Sequence, residues 1–146
     1  MSARVSFDVA GMPAPQGSMR AFVRNGHAVV SHARRASLEA WRIAVAQEAR
    51  AAMHAADLFG GSLAVRIVFR LPRPSSHTGK RGLLPSAPLY PITAPDADKL
   101  LRAVLDALTG VVWLDDAQVG HILVRKDYAA PGQSPGASVD VWERVA

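Results

Sequence analysis

The spacing of hydrophobic residues changes several times along the chain, and each change marks a predicted element. Apolar and polar positions alternate over residues 5–11, the period of a half-buried strand. A Gly/Pro-rich loop follows over residues 11–20. The dipeptide Asn25-Gly26 then predicts a β-hairpin over residues 21–31, since Asn-Gly is the strongest short-range hairpin signal.

The middle of the chain switches to a helical period. Apolar residues recur on one helix face from about residue 34 to 57, and Gly60-Gly61 predicts the end of that helix. Residues 62–70 alternate again and predict a central or near-central strand. Residues 71–95 contain six of the ten prolines, so they predict a loop, and a loop of this length is typically functional or mobile.

The last third of the chain begins with a second amphipathic helix, predicted over residues 97–109 and ended by Gly110. Its apolar stripe consists of Leu100, Leu101, Val104, Leu105 and Leu108. Two strands are predicted at 119–129 and 137–145, joined by a Pro/Gly turn and antiparallel to each other.

The order of these elements predicts an α+β fold. A strand, a hairpin, a helix, a strand, a long loop, a helix and two strands favour one mixed sheet with two main helices packed on it. The sequence shows no repeat and no linker, so residues 1–146 are expected to form a single domain.

Composition narrows the functional class. The chain has no cysteine, which excludes disulfides, thiolate zinc sites and a cysteine nucleophile. No apolar run approaches the roughly 18 residues of a membrane span, and the N-terminus has no apolar signal core, so a cytoplasmic protein is expected. The net charge of +5 and a pI near 10.4 favour a polyanionic partner.

The charges are unevenly distributed. Residues 1–56 hold seven arginines against three acids, and residues 58–95 hold five basic residues and no acid. Five of the twelve acids then fall within positions 96–116. An acidic cluster inside a basic field suits an enzyme that binds phosphates broadly and cuts one of them with the help of a cation.

Structural roles alone account for these acids, without a catalytic or metal-binding function. Asp96 lies where helices favour an N-cap, and Asp98 lies in the first turn, where the helix dipole favours a carboxylate. Asp98, Arg102 and Asp106 are spaced four residues apart, as ion pairs on one helix face are. The pair Asp115-Asp116 fits an exposed turn. On these facts alone the structural interpretation is the more economical one.

A metal site is the alternative. Asp96 and Asp98 are close enough to repel each other unless a cation neutralises them or one is protonated. Oxygen ligands without cysteine or a histidine pair suit Mg²⁺ or Mn²⁺. Asp116 follows the far end of the helix. It therefore reaches the other two only if the next strand runs back beside them, or if a partner subunit supplies it.

The segments "PDADKLLRAVLDAL" and "GVVWLDDAQV" carry a family resemblance. They combine D-x-D, a patterned helix of the form x-L-x-(K/R)-A-x-x-D-A-L, and a turn ending D-D-x-Q-(V/I). In this pattern the chain resembles the RusA family of Holliday-junction resolvases, in particular its phage- and prophage-type members. The match is dense over residues 95–119 and looser over the rest of the chain.

This resemblance implies a homodimeric, Mg²⁺-dependent endonuclease that nicks four-way DNA junctions symmetrically during recombination and repair, in a bacterium or a phage-infected host cell. Mn²⁺ is expected to substitute for Mg²⁺. Asp96, Asp98 and Asp116 correspond to the metal-binding catalytic acids. Arg102 stands where the family pattern has an essential lysine, and the charge is kept with a different head group.

Further DNA contacts are expected from the basic residues. Lys99 and Arg102 rise near Asp98 and are candidates for the scissile phosphate. The remaining candidates for phosphate contacts are Arg20, Arg24, Arg34, Arg35, Lys80 and Arg81. Two other functions stay open: a metal-dependent nuclease acting on other branched or flap DNA, and a non-catalytic DNA-binding accessory protein of recombination.

Overall fold

A computed structural model describes residues 3–17, 22–24, 27–29 and 32–146, with the backbone alone for 22–24, 27–29 and residue 32. In chain order the elements are β1 (Arg4–Ala10), β2 (Phe22–Arg24), β3 (His27–Val29), α1 (His32–Met53), β4 (Leu63–Leu71), β5 (Thr78–Gly79), β6 (Gly82–Leu83), α2 (Ala97–Leu108), β7 (Val119–Tyr128) and β8 (Gly136–Glu143). Neither helix is long and apolar enough to cross a bilayer, judged over these described residues.

The main sheet has four strands in the order β1-β8-β4-β7. Strand β8 is antiparallel to both β1 and β4, whereas β7 is parallel to β4, so the sheet is mixed. Helix α1 contacts β1, α2 contacts β7, and the helices contact each other. Two helices on a mixed sheet confirm the α+β prediction.

Strand β4 alternates its side chains between two environments. Its core-facing residues Leu63, Val65, Ile67 and Phe69 are fully buried. On the other face, Arg70 is 9% exposed and donates to both oxygens of Asp8, at 3.0 Å each, and to Ser138 at 2.8 Å. This bidentate pairing compensates the desolvation of the guanidinium.

Helix α1 ends earlier than the sequence predicts. Its buried residues Trp41, Val45, Ala49 and Met53 keep the expected spacing. The helix stops at Met53 because His54 and Ala55 adopt positive φ angles of 50° and 59°. Such left-handed residues end the helical hydrogen-bond pattern before Gly60-Gly61, the predicted stop.

Helix α2 follows the prediction closely. Leu100, Val104 and Leu108 are fully buried, while Leu101 and Leu105 are half-buried against the core. The chain turns away at Gly110, whose φ of +85° suits a residue without a side chain. The stripe therefore belongs to the core of the chain itself.

The final two strands are antiparallel, as predicted, but they are not neighbours. Strand β4 lies between β7 and β8, because β7 joins β4 in parallel and β8 inserts between β1 and β4. The predicted hairpin is present as the β2–β3 pair, and its turn residues Asn25 and Gly26 lie outside the described residues. The proline-rich loop carries a short 3-10 turn at Ser75–His77 and the small β5–β6 hairpin.

Candidate functional site

Asp96 stands at the N-cap of α2, as predicted, but its carboxylate does not cap the helix. The backbone of Asp96 is extended, with φ −72° and ψ 142°, and its carbonyl accepts the N–H of Leu100 at 3.0 Å. The side chain makes no capping hydrogen bond and is 57% exposed. Lys99 lies one turn away, with Nζ 3.4 Å from Oδ2 of Asp96. The carboxylate of Asp96 is therefore open to an additional ligand.

Lys126 holds the segment that leads into Asp96, and the sequence analysis missed it. Its Nζ donates to the carbonyl oxygens of Thr93 and Pro95, both at 2.9 Å. Lys126 pairs with Phe69 across the β4–β7 ladder and so lies on the helix-facing side of the sheet. A lysine in the alternating pattern Ile122, Val124, Lys126 is the signal that could have revealed it.

Asp98 and Arg102 lie further along α2, both exposed. Among the described residues Asp98 forms no ion pair, whereas Nε of Arg102 lies 4.0 Å from Asp106. Of the two ion pairs that the spacing predicts along this helix face, only the one between Arg102 and Asp106 is therefore present. Arg102 is 68% exposed and can leave this weak pair to contact a phosphate.

Gln16 fastens the described part of the early Gly/Pro loop to α2. Its backbone N–H donates to the carbonyl of Lys99 at 3.0 Å, and its side-chain amide donates to Asp106. Asp106 therefore has a structural task. Through Gln16, the loop is held against the turn of α2 that carries Lys99.

The pair Asp115-Asp116 divides into a structural and an exposed residue. Asp115 caps a 3-10 turn at Asp116–Gln118 by accepting the N–H of Ala117 at 2.9 Å. The Gln118 side chain accepts from the backbone of Leu114 and Asp115, and its amide donates to the carbonyls of Phe59 and Gly61. Asp116 is exposed on this hydrogen-bonded turn. The D-D-x-Q motif thus uses its first acid and its glutamine to present the second acid.

The three candidate metal ligands do not meet within one chain. Asp96 precedes the 12 residues of α2, which span about 18 Å, and Asp116 follows the other end. Strand β7 does run back beside the helix, but Asp116 stands at its start and Lys126, near Asp96, stands toward its end. Within the described ranges no three histidine or acidic side chains form a group able to hold a metal ion.

A cleft of about 550 Å³ opens beside Asp96 and Lys99. Its walls are formed by residues 12–15, by the first turns of α1 and by the segment before Asp96, and Arg34 is one of the lining residues. The walls are mostly apolar, and the charged side chains of Asp96 and Lys99 lie on the side where α2 begins. Arg34, Asp96 and Lys99 therefore belong to one surface.

The other basic candidates lie at several places. Arg35 is exposed and lines a polar groove between α1 and α2, together with Arg42 and Arg50. Lys80 and Arg81 form the exposed tip of the β5–β6 hairpin. The backbone of Arg24 belongs to β2, whereas Arg20 lies outside the described residues.

His77 belongs to a cluster that anchors the proline-rich loop. The guanidinium of Arg73 stacks on the Tyr128 ring at 4.1 Å, and its Nη1 lies 3.3 Å from Nδ1 of His77. The same nitrogen donates to the carbonyl of Pro88 at 2.8 Å. The edge of the His77 ring faces Tyr128 at 5.6 Å. These contacts tie the loop to the end of β7, on the side of the sheet where Lys126 holds Thr93 and Pro95.

The comparison with known families identifies this arrangement. A sequence model described as endodeoxyribonuclease RusA matches residues 11–141. The chain belongs to the RusA endodeoxyribonuclease family. It is also similar to the uncharacterized protein YqaN of Bacillus subtilis (strain 168), with 27% identity over 129 residues, 86% of this chain and 88% of that protein.

Membership of the RusA family places the chain among DNA-cleaving hydrolases. The match includes the Gly/Pro loop held by Gln16, both helices, β4, β7 and all but the last two residues of β8, whereas β1 lies wholly before it. The family resemblance inferred from 25 residues around α2 is thus confirmed over most of the chain.

Proposed function

We propose that this RusA-family protein is a Mg²⁺-dependent endonuclease that cuts four-way DNA junctions as a homodimer. The observation that carries the proposal is the D-x-D segment at the start of α2. There the Asp96 carboxylate is not used as a cap and Asp98 has no ion pair among the described residues, while Lys99 stands beside them. Helix capping alone does not account for that arrangement.

The side chains fit a hard divalent cation. Asp96 and Asp98 offer only oxygen ligands, and both are exposed at the positive end of a helix. Asp116, presented by the turn that Asp115 caps, is the third proposed ligand. Mg²⁺ keeps several waters and is bound through few carboxylates, so two or three carboxylates suit it better than a cage built only of protein groups.

The proposed reaction is hydrolysis of one phosphodiester bond. Asp96, Asp98 and Asp116 would hold Mg²⁺, or Mn²⁺ in its place, which would supply an activated water and offset charge on the attacking and leaving oxygens. In this hydrolysis the water oxygen would bond to phosphorus as the bond to the leaving sugar oxygen breaks. The attacking water would lose a proton to solvent and the leaving oxygen would take one up, so no enzyme residue is modified. Lys99 and Arg102 neutralise the non-bridging oxygens of the scissile phosphate. Lys126 keeps Asp96 in place through the backbone of Pro95.

We assign DNA binding to the basic residues around this surface. Phosphate contacts of this kind position the duplex without reading its sequence. The residues we assign to it are Arg20, Arg24, Arg34, Arg35, Lys80 and Arg81. In a four-way junction, one cut is made in each of two equivalent strands. A twofold symmetric dimer presents one of two equivalent sites to each strand.

The proposal is tested by cleavage of a synthetic four-way junction with Mg²⁺. Asp96→Asn should lower the cleavage rate by more than about 100-fold, since loss of outer-shell partners alone typically costs 10–100-fold. Junction binding in EDTA should stay intact. Asp57→Asn, which removes another exposed acid, is the control. Cleavage that survives Asp96→Asn at the wild-type rate rejects the metal site.

A comparison of several DNA substrates distinguishes the remaining candidate functions. Rates on four-way, three-way and flap DNA are compared at one salt concentration, because phosphate-driven binding depends steeply on salt. A strong preference for flaps replaces the junction assignment with a flap nuclease. Junction binding without any Mg²⁺- or Mn²⁺-dependent nicking by the wild type identifies a DNA-binding accessory protein.

A further inference from the structure

The cleft beside Asp96 is large enough to take a nucleoside. Its volume is about 550 Å³, and small-molecule sites in proteins span about 300–1,000 Å³. Apolar side chains form most of its walls, among them Met12, Pro13 and Pro15 of the Gly/Pro loop and Leu38 of α1. The proposed hydrolysis uses none of these four side chains. An apolar cavity of this size beside a reacting group is typical of a ligand site.

Hydrogen bonds hold two walls of this cleft in position. The backbone N–H of Gln16 donates to the carbonyl of Lys99 at 3.0 Å, which fixes residues 12–15 against the first turn of α2. On the opposite wall, Lys126 donates to the carbonyl of Pro95 at 2.9 Å. The cleft is therefore built into the fold of the chain, and a ligand does not have to order these walls when it binds.

The polar groups of the cleft match a nucleotide better than a purely apolar ligand. Arg34 and Lys99 line it and bring positive charge from α1 and α2, which suits the phosphates on either side of a base. Ser37 also lines it, and its hydroxyl forms no hydrogen bond with the described residues. A hydroxyl both donates and accepts, so it can bond the polar edge of a base. Apolar walls then cover the faces of that base.

Asp96 belongs to both the cleft and the proposed metal site. Its side chain lines the cleft and is 57% exposed. A phosphate held by a metal ion at Asp96 is joined through one sugar to a base, so that base lies within one nucleotide of the cleft. Bases leave the stack at the lowest cost where pairing is already disturbed, as it is next to a branch point. The substrate therefore brings a readily unstacked base to the mouth of this cleft.

We propose that the cleft holds the base of one nucleotide beside the scissile phosphate, turned out of the stack of the DNA junction. This inference rests on the proposed nuclease function and adds a determinant of substrate choice to it. Met12 and Pro13 cover the faces of the base, Ser37 bonds its edge, and Lys99 contacts a flanking phosphate. The base in the cleft holds the phosphodiester against Asp96. Cleavage then depends on the identity of that base.

Unstacking is measured in EDTA, without cleavage. The probe is 2-aminopurine, whose fluorescence rises when it leaves the stack, placed in turn at each nucleotide around the branch point of a synthetic four-way junction. The wild type should raise the fluorescence several-fold at one position and leave the others nearly unchanged. Ser37→Trp fills the cleft and should abolish the rise, whereas Ala36→Trp, at an exposed residue of α1 outside the cleft, should keep it. No rise at any position with the wild type overturns the proposal.

Chemical modification tests whether the cleft is open and whether DNA enters it. The chain has no cysteine, so Ser37→Cys introduces a single thiol. This thiol should react with a maleimide in the free protein and should react several-fold more slowly with saturating junction DNA. Ala36→Cys should react at the same rate with and without DNA. A Ser37→Cys thiol that is unreactive in the free protein shows that the chain itself or a second copy covers the cleft, and one that DNA does not protect shows that no base enters; either result overturns the proposal.

An abasic nucleotide separates the cleft from the nuclease function. It is placed where 2-aminopurine responds, and cleavage with Mg²⁺ is compared between the wild type and Ser37→Trp. The variant should cut the complete junction several-fold more slowly than the wild type and the abasic junction equally fast, because no base then competes with the indole for the cleft. An equal defect on both junctions rejects a base in the cleft.

The two hypotheses fail in different ways. A wild type that unstacks one base but never cleaves DNA with Mg²⁺ or Mn²⁺ rejects the nuclease function and keeps the base site. A wild type that cleaves the junction without unstacking a base next to the cut keeps the nuclease function and rejects the base site. Urea unfolding verifies that Ser37→Trp and Ala36→Trp are folded, and Ala33→Trp, in the same wall of the cleft, replaces Ser37→Trp if that variant is not.

Discussion

The Lys126 ammonium group lies 2.9 Å from the carbonyl oxygen of Pro95, the residue before Asp96. A second bond of 2.9 Å reaches the carbonyl of Thr93. These contacts join the edge strand β7 to the start of α2, so the position of the first candidate acid depends on a strand that follows it by more than 20 residues in the chain. Lys126 is therefore a positioning residue of the proposed site.

We expect Lys126→Met to weaken both folding and cleavage. Hydrogen bonds from a charged group contribute about 1.5–3 kcal/mol, and loss of a residue that orients a metal ligand lowers activity by about 10–100-fold. Lys126→Arg should restore part of both, because it can still donate to the carbonyls. Urea unfolding and junction cleavage measure the two effects. Arg50→Met is the control, because it also removes one positive charge but at an exposed position of α1.

The two acids of the D-D pair should respond differently to the same substitution. Asp115→Asn keeps a side-chain oxygen that can accept the N–H of Ala117, so cleavage should change by only a few-fold. Asp116→Asn removes a proposed metal ligand and should lower cleavage by more than about 100-fold with unchanged stability. Equal losses for both variants would contradict the division of roles described above.

Leu100 tests whether the leucine stripe of α2 is core. It is fully buried, so Leu100→Ala should reduce the free energy of unfolding by about 2–5 kcal/mol. Leu105 is half-buried, and Leu105→Ala on the same helix should cost clearly less. Chemical denaturation measures both. Equal costs would mean that Leu105 is covered by something outside the chain, such as a second subunit.

Asp140 should contribute to the loss of stability in acid. The hydrogen bond from Ser6, with further help from Arg4 and Arg66, lowers the pKa of this carboxyl below its usual 3.8, although partial burial opposes the shift. A lowered folded-state pKa stabilises the fold above the unfolded-state value, and this stabilisation is lost as the pH falls through the folded-state pKa.

Substitution of Asp140 should therefore flatten the acid limb of the stability curve. In Asp140→Asn the free energy of unfolding should be lower at neutral pH and should fall less steeply below pH 3.8 than in the wild type. Ser6→Ala should show the same trend to a smaller extent. Unfolding in urea at a series of pH values measures it, and curves that stay parallel to the wild type would refute the assignment.

Local sequence patterns determined the elements of this protein. The stripe from Leu100 to Leu108 and the alternation of residues 62–70 identified α2 and β4, because both patterns reflect which face of an element is buried. The spacing from D-x-D to D-D-x-Q identified the family for the same reason, since it is a property of one continuous helix and turn. Asp115 could also be interpreted locally, because it accepts the N–H of Ala117 within its own turn, whereas Gln118 also reaches the distant carbonyls of Phe59 and Gly61.

Only the tertiary structure decided what lies next to what. The insertion of β8 between β1 and β4, the contact of Lys126 with Pro95 and the attachment of Gln16 to α2 join residues that are distant in the chain. No local period encodes such neighbours, because they follow from how the helices and strands pack together. The separation of Asp116 from Asp96 is of the same kind: α2 sets their spacing in sequence, and the fold places them at opposite ends of the helix.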